Sequence, residues 1–120
     1  MVKNKWSEFE SEYIYIIEDL GRPAVFLLPT LSVSLKRELE KFITENFRGF
    51  TCFSGTSYGI YKDGFEIVHY DRCDLYEISF AEKEKMPILL KKLAEIAKII
   101  GEKCVYFKAG QYSCLVYPKS

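Results

Sequence analysis

The chain has 120 residues, enough for one domain with a buried core and too few for two independent cores. Hydrophobic residues make up 48% and charged residues 28%, which excludes wholesale disorder. Seventeen basic residues balance seventeen acidic ones, which argues against a protein that tracks a phosphate backbone through a basic excess.

The first segment, "KWSEFESEYIYIIEDLG", carries two signals. Trp6, Phe9, Tyr13, Ile16, Ile17 and Leu20 fall at helical spacing, and Ser7 with Glu10 makes a capping box. "YIYII" is rich in strand formers. The spacing predicts a helical segment within residues 1–21, stopped by Gly21 and Pro23. Glu8, Glu10, Glu12, Glu18 and Asp19 give it an acidic face, suited to solvent or to a basic partner.

"PAVFLLP" reads as a central strand buried on both faces. Leu31, Leu35, Leu39, Phe42, Ile43 and Phe47 then form a helical stripe, with Ser32 or Ser34 as N-cap and Gly49 as the stop. Thr51–Phe53 and Tyr58–Lys62 read as strand interrupted at Ser54–Ser57. "KDG" is hairpin-turn chemistry with Gly64 at positive φ, and Phe65–Tyr70 resumes the strand. "DRCD" breaks the alternation as a bulge or corner before "LYEISF". A second helix spans Lys85–Ile100, with Met86, Leu89, Leu90, Leu93, Ile96, Ala97 and Ile100 inward and Lys92 outward. Two strands around "AGQ" close the chain as a hairpin.

The expected fold is α+β: a ferredoxin-like β-α-β-β-α-β antiparallel sheet over residues 22–117, with both helices on one face. The N-terminal helix and the final hairpin are additions to this single domain. "ENFRGFT", a break of small residues, "GIY", "KDG" and a helix end running into "GEKCVYF" resemble small uncharacterised bacterial ferredoxin-like proteins across roughly residues 39–117. That resemblance implies the topology and brings no catalytic residues with it.

Motifs exclude more than they assign. "SGTSYG" has no lysine and leads into a strand, so it is not a Walker loop; it is read as part of the hairpin. No H-E-x-x-H or C-x-x-C pattern is present among His69 and the cysteines at 52, 73, 104 and 114. Neither a metal site nor a cofactor is expected. Free buried thiols are the expectation, ahead of a disulfide between Cys104 and Cys114 or between Cys52 and Cys73. No run reaches the length of a membrane span, and the acidic, aromatic start lacks the apolar h-region of a signal peptide, so a cytoplasmic setting is expected.

The nine tyrosines stand out. Tyr58, Tyr61, Tyr70, Tyr76, Tyr106 and Tyr112, with Arg72 beside them, would form a binding surface on the sheet face that the helices leave open. The leading expectation is a non-enzymatic binding or regulatory module, self-associating as a homodimer or inhibiting another macromolecule. The alternative is a small enzyme or small-molecule binder using His69 as acid/base, Asp71 to orient it and Arg72 as anion contact. An RNA-binding sheet comes third, because the aromatic signature of that module is missing. Asp71, Arg72 and Asp74 together read as a solvated corner.

Overall fold

The computed structural model describes residues 6–9, 14–62 and 66–119, and for 56–62 and 66–72 the description concerns the backbone alone. Five strands form one antiparallel sheet: β1 (Arg22–Pro29), β2 (Thr51–Lys62), β3 (Glu66–Phe80), β4 (Val105–Ala109) and β5 (Tyr112–Val116). Helix α1 (Val33–Asn46) joins β1 to β2, and α2 (Lys85–Ile100) joins β3 to β4. The strand order β2-β3-β1-β4-β5 is consistent with a ferredoxin-like arrangement extended by one edge strand.

Both helices follow the 3.6-residue stripe, though α1 ends at Phe47 in extended backbone, two residues before the expected Gly49 stop. Ser32 caps α1 by accepting the Leu35 N–H at 3.3 Å, and Gly101 ends α2 with its N–H directed to the Ala97 and Lys98 carbonyls. Leu39 and Ile43 of α1 and Leu89, Leu93, Ile96 and Ala97 of α2 are buried against one sheet face. From the sheet, Ala24, Phe26 and Leu28 meet them together with Tyr76, Ile78, Val105 and Phe107. The Phe26 and Tyr76 rings stack at 5.1 Å between centroids.

Two sequence expectations change and a third holds. β1 is buried on alternate residues only, because no helix covers the second face; Val25 and Leu27 are half-exposed. The break expected at Ser54–Ser57 is a bulge within a continuous β2, where the register slips between Ser54 and Tyr58 and Gly55 takes a φ of 84°. β3 is one continuous strand through "DRCD", and the break in alternation expected there is present: between Tyr70 and Cys73 it carries one residue more than β2 does between Tyr58 and Thr56, and the adjacent Cys73 and Asp74 are both buried.

The N-terminal segment also departs from its helical reading. Among the described residues it contributes a 3-10 turn at Ser7–Phe9, and 14–20 is not helical. Phe9, Ile14, Ile16 and Leu20 are exposed: the helix-facing side of the sheet is already filled by α1 and α2, so the apolar stripe has no core to join. Residues 10–13 lie outside the described ones, as does Gly64. The pairing of Lys62 with Glu66 nonetheless places the chain reversal where "KDG" predicts it.

Candidate functional site

The sequence-derived residues scatter. Tyr76 faces the helices and has 0% exposure, so it belongs to the core and not to a surface. Tyr112 is on the same side of the sheet but at the free edge, 78% exposed. Of the described tyrosine side chains on the strands, Tyr106 is the one placed on the open face, half-buried. Tyr58, Tyr61, Tyr70, His69, Asp71 and Arg72 fall where only the backbone is described; Tyr58 pairs with Tyr70 and Gly59 with His69.

Asp74 is the residue that sequence reasoning misjudged. It is 2% exposed, not a solvated corner, because β3 turns it toward α1. Lys36 Nζ stands 4.0 Å from its Oδ2, near enough for attraction and too far for a hydrogen bond, so that oxygen lacks a donor among the described residues. The Tyr76 hydroxyl, two residues along the same face, also lacks a well-formed partner there. Burial pushes the Tyr76 hydroxyl well above the usual tyrosine range, with the neighbouring Cys52 and Asp74 adding to it. Burial likewise raises the Cys73 thiol, helped by Asp74. All four cysteines are free thiols. Only Cys73 among them is buried; it and Tyr76 sit in packed core, where they resist ionisation.

The open sheet face carries a pattern that register alone reveals. Phe53, Leu75, Leu27, Tyr106 and Leu115 lie directly opposite one another across all five strands. They form one apolar row on the face away from the helices, and Phe53 at its end is 53% exposed. The next row reads Thr51, Glu77, Val25, Lys108 and Ser113. This aromatic content is lower than the tyrosine count suggests, because aliphatic residues fill most of the row.

A cleft of about 810 Å³ opens on the helix-bearing side, at the end of the sheet where β1 begins and β3 ends. Pro23, Ala24, Phe80, Met86, Phe107, Ala109 and Tyr112 make its walls, and Cys114 faces in from the edge strand. Asp19, Arg22, Glu82 and Lys83 supply a polar rim. Gly21 lets the chain pass this point: its φ is 97°, and a Cβ there would fall 2.3 Å from the Phe80 carbonyl carbon. The rim carboxylates are tied down. Asp19 Oδ1 accepts the Gly21 N–H at 2.8 Å, and Glu82 Oε2 accepts the Ala81 N–H at 3.2 Å. Hydrogen bonds from its own and the Ala81 backbone N–H, with Lys85 nearby, hold the Glu82 carboxyl below its ordinary value. His69 is eleven residues before Phe80 on β3, roughly 35 Å along the strand, so β3 does not bring it to this cleft.

Among the described residues no helix is long and apolar enough to cross a membrane, and no group of three His, Cys, Asp or Glu side chains is placed to hold a metal ion. No family model and no curated protein matches the chain. A solved structure does: a phage SAM lyase in complex with S-methyl-5'-thioadenosine, with a TM-score of 0.56 and 12% identity. The match covers 86% of this chain and 96% of that one. At that identity the likeness is one of fold.

Proposed function

We propose that this protein binds a small, nucleoside-sized molecule in the cleft between the start of α2 and the β4–β5 hairpin. The cleft carries the reading: its volume of about 810 Å³ falls in the range of ligand sites, and it combines apolar walls with a few polar groups at the rim. Phe80, Met86, Phe107 and Tyr112 suit a planar base or a thioether, and the side-chain oxygens of Asp19 and Glu82 suit ribose hydroxyls or a cationic centre. The phage lyase that shares the fold was solved with a ligand of that chemistry, which lends support without fixing the ligand here.

Titration calorimetry with S-methyl-5'-thioadenosine tests the reading. Saturable binding is expected, weakened at least about tenfold by Cys114→Phe, which places a ring in the cleft from an exposed edge position. Absence of binding, or binding indifferent to Cys114→Phe, would remove this function. A second reading, that the protein works through its open sheet face, is favoured by the continuous apolar row there.

A further inference from the structure

We propose that the open sheet face is occupied by a second copy of this chain, related by a two-fold axis that runs parallel to β1 through the middle of the interface. The proposal rests on the second reading above, names its partner, and is independent of the cleft, which lies on the helix-bearing side. A rotation about that axis keeps strand direction and exchanges the two halves of the sheet. β1 then lies over β1, β3 over β4, and β2 over β5. Leu27 meets Leu27 of the partner subunit, Leu75 meets Tyr106 of the partner subunit, and Phe53 meets Leu115 of the partner subunit. Every apolar residue of the row finds an apolar counterpart. Two sheets packed this way stand about 10 Å apart, with strands aligned to within about 30°.

The charges choose this occupant over others. Glu77 on β3 and Lys108 on β4 are at the same level, one strand either side of Val25. Among the described residues neither has an oppositely charged group within 4 Å. The same rotation sets Glu77 over Lys108 of the partner subunit, and Lys108 over Glu77 of the partner subunit. Both charges are satisfied by the chain's own complement, twice per dimer. A nucleic acid would leave Glu77 facing phosphates, and a bilayer would leave both charges on an apolar medium.

The test is sedimentation equilibrium of the wild-type chain and three variants from low to high micromolar concentration. Concentration-dependent dimerisation is expected. Glu77→Lys or Lys108→Glu alone turns both cross-pairs into like-charge contacts and lowers the association constant about tenfold or more. The combined Glu77→Lys, Lys108→Glu chain restores it to within about threefold, because the pair is reversed and not removed. Circular dichroism checks that each variant is folded, as expected for changes on the open face. A dimer that ignores both single reversals, or that the double reversal fails to restore, overturns this register while leaving the face free for another partner. A monomer at every concentration overturns the second copy as occupant. The wider reading of the face fails separately, if Phe53→Ser changes neither self-association nor the binding of a hydrophobic dye to the folded chain.

Discussion

Tyr76 and Asp74 look from the sequence like surface chemistry, a tyrosine for a binding face and a carboxylate at a corner. Burial decides otherwise, and burial depends on strand parity, which one residue of bulge can invert. The pattern "DRCDLYEISF" admits either parity at Asp74; register shifts on both β2 and β3 precede it, and from Asp74 onward β3 alternates regularly and sends Asp74, Tyr76, Ile78 and Phe80 inward together. This burial has a measurable sign. Tyr76 ionises in the fold only well above its ordinary pKa, and Cys73 is shifted the same way. Below the unfolded-state values both groups are protonated in both states, and their contribution is fully present. As pH rises past roughly 9–10 the unfolded chain ionises first, so stability falls until the folded-state values are reached. Tyr76→Phe should therefore leave stability at pH 7 within about 1 kcal/mol, since the lost hydroxyl makes no well-formed hydrogen bond among the described residues, and flatten the alkaline decline above about pH 10. Urea melts of both chains at pH 7, 9 and 10.5 check this; parallel declines would show that Tyr76 is not the group responsible.

The two helices were the most legible elements: periodicity and the Ser32 cap agree for α1, although it ends at Phe47 in extended backbone and not at a left-handed Gly49, and periodicity and the Gly101 stop agree for α2. The N-terminal segment was illegible for the opposite reason. Its helical spacing and its β-branched, aromatic content disagree, and it has no partner surface to settle the matter. A subtler miss concerns Lys92, which the stripe assigns to solvent. Its side chain is only 15% exposed, paired with Glu38 of α1 at 3.0 Å and lying 5.4 Å from the Phe42 ring centre. Spacing within α2 cannot reveal a contact whose other half is 54 residues away. Lys92→Ala should thus cost about 1 kcal/mol, above the level of an idle surface change, from a partly exposed ion pair and a cation–π contact. Leu93→Ala, which empties a fully buried site, should cost about 2–5 kcal/mol. Denaturant midpoints give both values, and equal losses at the two positions would contradict this packing of α1 on α2.

At the scale of the molecule, the order of elements conveys the α+β architecture, while the cleft is invisible in the sequence. Its walls come from the start of β1, the end of β3, the first turn of α2 and the β4–β5 hairpin, and no local motif marks their meeting. The same topology sets a gradient of stability across the sheet. β1 is paired on both sides, to β3 from Arg22 to Pro29 and to β4 from Ala24 to Leu27, and its inner face is core. β5 is paired to β4 alone and its residues are exposed or half-exposed. Opening β5 exposes little apolar surface; opening β1 dismantles both halves of the sheet. Native-state hydrogen exchange should therefore find hydrogen-bonded β1 amides exchanging only through global unfolding, and Tyr112–Val116 amides through a local opening at least about 2 kcal/mol cheaper. A ligand seated against Tyr112 and Cys114 closes that opening, so saturation with S-methyl-5'-thioadenosine should slow β5 exchange more than global stabilisation accounts for. Dimerisation through the open face, which covers Leu115 with Phe53 of the partner subunit, would also slow β5 exchange, so exchange with and without ligand is compared at one fixed protein concentration. Equal protection of β1 and β5 in the free protein would refute the gradient. A ligand that slows all amides alike would locate its binding energy somewhere other than this cleft.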